Sequence, residues 1–454
     1  MRSLEKYIFV FIFLFLGTWL QAYPQDGNPL QYLSDVSQSA SLNPAFQNKT
    51  EKLVVGFPIA SGAWLDWKAN FSLNYIFSKN FAYSFDKFYN ELGKSGNELA
   101  TIKIPVLYLS LRQENQNFTF SVTERIFTQS SFDHKFLKFI DNGLQPYYGK
   151  TEEYGPMSIH TYHYRELAFA YSRQLWEGFT VGIRPKMLFG RINYDLNDMY
   201  IHVLTDTGAK QLLIQPEGNY KIAGALEVTY NPDNDATSIK PNPDFSDYFF
   251  NFRNLGAAID LGFEFKTGKT EISAAISDLG FFTMNHSVYD VTYSDAIRFD
   301  EENLYQSTNP SGDNYNEPRF ALQQLIDSIP FVITAQPGSQ NLVENIPLKL
   351  NAMVRHSISK TMDAGISAQF TIFNENSKSY LSSFGHAILN DRFDLAASLT
   401  LLDFKKLLPG VGASYTAKHT QVYLSANNIT ALLWPSSAKY LNLCFGVNFL
   451  FSTR

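Results

Sequence analysis

The sequence predicts an all-β fold, a transmembrane antiparallel β-barrel of about fourteen strands, with twelve to sixteen open. Three observations lead there. Apolar and small or polar residues alternate with period two in one segment after another. Charged residues make up only 18% of the chain while aromatics reach 15%, with 39 Phe and 26 Tyr, a balance that suits lipid-facing strands and interfacial girdles better than a solvated surface. The last strand ends on an unbroken apolar face with a terminal aromatic pattern.

Residues 1–22 read as a secretory leader. Arg2 and Lys6 precede the apolar run Tyr7 to Leu20, and Ala22 offers a small residue before a cut at Tyr23. The run is too short to cross a bilayer comfortably, and no later stretch approaches 18 consecutive apolar residues. Cys444 is the single cysteine, which excludes an internal disulfide and a thiolate metal cluster. An exported chain with this composition is expected in a bacterial outer membrane. Residues 23–50 carry no strand pattern; a short helix and a turn at Asn43-Pro44 are expected, in a segment that hangs in the periplasm or plugs the lumen.

The barrel is expected over residues 51–454. The cleanest alternation sets Leu255, Ala257, Ile259, Leu261, Phe263 and Phe265 against Asn254, Gly256, Ala258, Asp260, Gly262 and Glu264. The turn Thr267-Gly268-Lys269 then leads to Ile272, Ala274 and Ile276, a hairpin signature. Residues 348–355, 364–372, 395–401 and 421–427 repeat the pattern, while segments near 52–60, 68–77, 101–112, 116–126, 163–175, 178–192 and 220–230 are less clean. In the final segment Leu441, Leu443, Phe445, Val447, Phe449 and Phe451 share one face, and Gly446, Phe449 and Phe451 have the spacing of a barrel insertion signal. A soluble β-sandwich or propeller would also alternate, but with shorter strands and more charge on its second face. Long insertions are expected near 127–162, with a short amphipathic helix around Phe136 to Ile140, and near 285–345, which is polar and acidic. Short and long loops do not alternate cleanly, so sidedness stays open.

The candidate site residues are charges on the inferred lumen faces: Arg184, Lys186, Glu227, Asp260, Glu264, Glu271, Lys349 and Arg355. They would set an ion preference, or pair across neighbouring strands and stiffen the wall. Acids and bases are mixed, which favours pairing. The eight histidines are scattered. In a strand, His160 and His163 would point to opposite faces, which argues against a shared metal. No nucleophile elbow or phosphate-cradling loop is present, so neither an enzyme nor a cofactor is expected. A net charge of -6 spread along the chain leaves no footprint for nucleic acid.

Several short motifs together resemble a known family. They are Ser41-Leu42-Asn43-Pro44-Ala45-Phe46, Val54-Val55-Gly56-Phe57-Pro58, Asp260-Leu261-Gly262, Ile276-Ser277-Asp278-Leu279-Gly280-Phe281 and the closing strand. This set is similar to an outer-membrane barrel family of the Bacteroidota of unknown function. That family in turn is similar to the PorP/SprF membrane proteins of type IX secretion and gliding, and more distantly to FadL-type channels for hydrophobic compounds, which also carry Asn-Pro-Ala in an N-terminal hatch. The resemblance makes Asn43, Pro44, Ala45 and Phe46 the candidate plug motif. It implies a channel for small or hydrophobic molecules, or a non-conducting barrel that docks onto a secretion or gliding machine. The expected partners are outer-membrane lipid, the barrel-assembly machinery during insertion and other envelope proteins.

Overall fold

The computed structural model describes residues 29–47, 53–72, 91–93, 95–142, 145–206, 208, 210–232, 236–241, 252–293, 295–300, 332–338, 340–373, 376–390 and 392–451. The expected leader, residues 1–22, lies outside them. Twenty-one strands form among the described residues: β1 Leu53–Ala69, β2 Ser95–Gln113, β3 Gln116–Asp133, β4 Glu152–Trp176, β5 Phe179–Asp206, β6 Gln211–Gly224, β7 Leu226–Asn231, β8 Ala236–Pro241, β9 Leu255–Thr267, β10 Thr270–Met284, β11 Val288–Tyr293, β12 Ile297–Asp300, β13 Ile333–Pro337, β14 Leu342–Asn345, β15 Leu348–Ser357, β16 Met362–Phe373, β17 Asn376–Leu389, β18 Phe393–Leu402, β19 Lys406–Thr416, β20 Thr420–Ala426 and β21 Tyr440–Phe451.

Fourteen of them close a barrel. Antiparallel pairing runs from β1 through β2, β3, β4 and β5 to β9, then through β10, β15, β16, β17, β18, β19, β20 and β21, and β21 pairs with β1. Closure leaves the barrel itself no free sheet edge, the condition a β-structure must meet in hydrocarbon. No helix among the described residues is long and apolar enough to cross a membrane. The expected hairpin at 254–279 forms in register, with Phe265 opposite Ile272 and Leu261 opposite Ile276.

Alternation sorts the side chains as the period of two requires. Phe120, Phe169, Ile183, Met187, Leu261, Ile276, Leu399, Leu424 and Phe445 are large apolar residues left exposed on the outer surface. On β3 and β4 this apolar belt ends at a polar rung. Glu124 there accepts a hydrogen bond from Arg165 Nε, and His163 Nε2 lies 2.9 Å from Glu124 Oε2. His160 and His163 indeed face opposite ways, His163 outward and His160 inward.

The six connections on the side of the chain termini are all short, around residues 114–115, 177–178, 268–269, 358–361, 390–392 and 417–419. On the opposite, far side the connections are long in the first half of the chain but short at 374–375 and 403–405. That asymmetry is why loop length alone could not assign sidedness. The expected insertion at 127–162 is smaller than its sequence suggests. β3 runs on to Asp133, α1 (His134–Asn142) occupies the connection, and β4 begins at Glu152. The polar stretch 285–345 supplies β11, β12, β13 and β14, with residues 301–331 outside the described set.

Beyond the belt the far end of β5 leaves β9 and pairs with β6. β6 pairs with β11 and β12, and β11 with β13, so an extension of the barrel sheet continues past the belt at the far rim. Its core holds Val203, Leu212, Ile214, Ile297, Phe299 and Phe139. A hydrogen-bonded cluster joins it to the barrel. His160 Nδ1 lies 3.1 Å from Asp195 Oδ1, and its Nε2 lies 3.1 Å from Glu344 Oε2. Burial opposes a charge on His160, but the hydrogen bonds to Asp195 and Glu344, and their charges, outweigh it and raise its pKa to about 9. A raised histidine pKa stabilises the fold fully below the unfolded value near 6.5, and that contribution is lost as pH rises through about 9. The expected loss between pH 6.5 and 10 is about 2–3 kcal/mol. Urea unfolding of the wild type in detergent checks it, and His160→Gln removes this part of the pH dependence.

Candidate functional site

The lumen is occupied by residues 29–47. Their backbone forms two short 3-10 helices, Pro29–Tyr32 and Ser37–Ser41, where one short helix was expected. With no strand partner, this segment is held by side chains from the surrounding wall. Tyr32 Oη and Ser367 Oγ lie 2.7 Å apart, and the Tyr32 ring stacks on Phe384 at 4.0 Å. Gln38 Nε2 donates to Ser61 at 2.8 Å and to Asn448 at 2.7 Å. Gln421 Nε2 donates to the Asp35 carbonyl at 3.0 Å, and Asn351 Nδ2 to the Leu42 carbonyl at 3.2 Å. Apart from the aromatic stack these are uncharged hydrogen bonds, each worth on the order of 1 kcal/mol net.

The candidate motif Asn43-Pro44-Ala45-Phe46 forms a turn. Asn43 Oδ1 accepts from the Ala45 N–H at 2.9 Å, and Asn43 Nδ2 reaches the Phe263 carbonyl of β9 at 3.2 Å. The turn sits on Gly182 and Gly262, which face each other directly across β5 and β9. A Cβ on Gly182 would overlap the backbone of Pro44 and Ala45, and one on Gly262 would overlap the Asn43 amide. Two facing glycines thus make a flat seat where the wall would otherwise carry side chains.

Beside this seat a network of charges crosses the lumen. Arg184 and Asp260 stand opposite in register on β5 and β9, and Lys186 Nζ lies 2.6 Å from Asp260. Lys186 also reaches Asp278 at 2.5 Å, and Lys349 reaches Asp278 at 3.1 Å. Arg125 bridges Glu166 at 2.7 Å and Asp278 at 3.1 Å, and Arg184 pairs with Glu166 at 2.9 Å. All seven groups are buried. The bonds from Arg125, on β3, and Lys186, on β5, to Asp278 on β10 skip intervening strands, so pairing reaches across the lumen rather than only between neighbours.

Of the expected lumen charges, Arg184, Lys186, Asp260 and Lys349 meet in this network. Glu264, Glu271 and Arg355 lie apart, around a smaller cavity of about 20 Å³ shared with Gln31 and Phe46. There Arg355 Nη2 donates to the Gln31 and Tyr32 carbonyls at 3.3 and 3.4 Å. Glu227 is a correction. It is exposed on β7, which pairs only with β8 in a separate two-stranded sheet, because the chain leaves the barrel wall at the far end of β5, before β6. Arg125, Glu166 and Asp278 are the functional candidates that alternation missed. In the closing strand Gly446 faces inward and leaves room for the Tyr423 ring, while Phe449 and Phe451 face outward near the terminal rim.

The barrel wall is interrupted beside the network. β1 and β2 stay in register to Val55 opposite Leu109 and resume at Trp64 opposite Lys103. Between them Phe57 and Ile59 are exposed, and Ile59 adopts φ 69°. Pro58 offers no donor to a ladder there. Against this interruption lies a cavity of about 60 Å³, bounded by Ser61, Pro105 and Tyr108, by the closing segment and by the charged wall.

Sequence comparison gives this architecture a family. The profile of a family of unknown function, DUF5723, matches residues 44–427. The chain belongs to that family. The match to DUF5723 begins at Pro44, inside the motif on the glycine seat, and runs through β20. No curated protein matches the chain by sequence. Among solved structures, the Ralstonia pickettii toluene transporter TbuX is similar at 9% identity and a TM-score of 0.47, with 95% of this chain and 99% of that chain covered. A Pseudomonas aeruginosa FadL homologue is similar at 9% identity and a TM-score of 0.42, with 95% and 98% covered. The Pseudomonas putida toluene transporter TodX is similar at 8% identity and a TM-score of 0.43, again with 95% and 98% covered.

Proposed function

We propose that this DUF5723 protein is an outer-membrane channel for small molecules with an apolar body, closed by residues 29–47 and opened when that segment shifts. The outer-membrane address is supported by the closed sheet and its outward apolar belt. The channel reading is carried by one observation. The lumen is filled by a segment without strand pairing, and a cavity lies between that segment and an interruption in the wall. A structural wall would be better served by continuous pairing and a packed core.

Deletion of residues 29–47 tests the reading. Single-channel conductance in planar bilayers is expected to rise several-fold over the full chain, because the segment that fills the lumen is then removed. An unchanged conductance, with the barrel still folded, would overturn it. That outcome, joined to co-purification with envelope proteins, would favour a docking barrel instead. The sheet of β6 and β11 to β13 above the far rim is the surface such a barrel would offer.

A further inference from the structure

We propose that a notch in the far rim, between β19 and β21, is a binding site for the phosphate-bearing headgroup of an outer-leaflet lipid. The inference uses the outer-membrane address proposed above and is independent of what the lumen conducts. The notch exists because β20 is short. It pairs with β19 only as far as Ala426 opposite Val411, and with β21 only as far as Ala426 opposite Leu443. Residues 406–410 of β19 and 440–442 of β21 run on toward the far side with no strand between them. Asn427 and Asn428, both buried, end β20. Asn428 Nδ2 donates to the Tyr440 carbonyl at 2.8 Å, and its Oδ1 accepts from Thr430 Oγ at 2.6 Å. The chain then turns into α2 (Ile429–Leu433), which packs against both flanking strands, and Pro435 follows.

Lysines stand on both sides of the notch. Lys405 and Lys406 lie on the β19 side, Lys439 precedes β21, and Lys68 of β1 stands opposite Tyr440. The two sides are close. Tyr440 packs with Leu402 and Leu408, and Leu402 is the register partner of Lys406. Lys68 Nζ lies 3.7 Å from Asp403 Oδ2. The acids at hand are already engaged. Asp403 also accepts from the Ser379 N–H, and Glu91 holds Lys439 at 3.4 Å while accepting from the Ser72 N–H and hydroxyl. Among the described residues Lys406 has no acidic partner. Partial burial and the charges of Lys68 and Lys439 hold its amine below the usual lysine range, so the three ammonium groups act on one another. Four lysines against two carboxylates leave a formal surplus of two positive charges. Like charges gathered in this way repel until an anion joins them.

The surroundings select a lipid over a free anion. Phe404, Leu407, Leu433 and Trp434, on the segments that flank the notch, are each more than half exposed. Apolar side chains with a tryptophan suit acyl chains at a membrane interface, and a basic pocket beside them suits a charged headgroup. Lysine ammonium groups bind phosphate as compact point charges with rotatable donors. The short connections on the side of the chain termini belong to the periplasmic face of such a barrel, so the notch opens at the outer leaflet.

Native mass spectrometry of the full chain in non-ionic detergent, with lipid A and its dephosphorylated form as paired probes, tests the site. Wild type should retain the phosphorylated lipid at least about tenfold better than the dephosphorylated one. The K406M/K439M double variant should lose that preference while still showing the gel mobility of a folded barrel. K269M, in the turn at the opposite rim, should keep it. If the double variant does not fold, K406M alone serves, since Lys406 makes no ion pair among the described residues, and its preference should fall several-fold. Equal retention of the two probes by wild type, or an undiminished preference in the folded variant, would overturn the assignment. Displacement of lipid A by millimolar inorganic phosphate would overturn it too, by showing a site for the free anion. The conductance of the chain lacking residues 29–47 bears on the channel reading alone, so the two proposals fail separately.

Discussion

Replacing Gly182 with alanine is expected to raise conductance several-fold and to expose residues 29–47 to protease, while the barrel itself stays folded. A methyl group at this position points into the lumen and overlaps the backbone of Pro44 and Ala45. Backbone atoms cannot rotate aside as a side chain can, and carbon atoms pack no closer than about 3.5 Å without cost. The turn must therefore lift off its seat, since the wall strands β5 and β9 are fixed by a continuous register from Phe179 opposite Phe265 to Phe189 opposite Leu255. Overpacking of this kind costs about 1–3 kcal/mol, enough to offset one to three of the neutral hydrogen bonds that hold the segment. Gly262→Ala should act in the same direction but more weakly, because it meets the Asn43 side chain, whose amide can turn away at the loss of its bond to Phe263. Alanine at either site is an ordinary strand residue, so refolding yield and thermal stability of the barrel should change little. Conductance and protease sensitivity equal to wild type in the double alanine variant would show that the turn does not depend on this seat.

The barrel was legible because lipid and lumen impose opposite chemistry on alternate residues, and Leu255 to Phe265 obey that rule at every position. The site was legible only where the rule holds. Asp278 escaped because β10 carries a bulge: Ile276 pairs with Leu261 and Leu279 with Ile259, so one extra residue enters the strand. Strict alternation would put Asp278 on the lipid face with Ile276, whereas the bulge, with φ 62° at Asp278, turns both Ser277 and Asp278 inward. The second Asp-Leu-Gly, repeating the one at 260–262, was the signal that could have revealed it. Arg125 and Glu166 were hidden differently. Their sequence neighbours Glu124 and Arg165 are charged too and pair on the outer face, so parity offered no contrast at that rung. Glu227 failed because its segment alternates like a barrel strand yet belongs to a detached hairpin. Which strand neighbours which is a long-range property that local period does not encode.

Neutralising Asp278 should cost more stability than any other single lumen substitution. Its carboxylate is shared by Arg125, Lys186 and Lys349, and its backbone N–H is held by Asp260 Oδ1 at 2.7 Å. Asp278→Asn keeps the shape and the bulge but removes the one charge on which three buried cations converge. Breaking a buried pair in this way costs about 3–5 kcal/mol, because the partners remain desolvated without compensation. The loss should appear as a lower urea midpoint for unfolding in detergent, with an unchanged slope. Lys349 offers an internal check. If the penalty arises from cations left buried, then D278N/K349M should be less destabilised than the two single variants added together, with a coupling of about 0.5–3 kcal/mol. Additive effects would mean that the penalty does not arise from the pairing of Asp278 with Lys349.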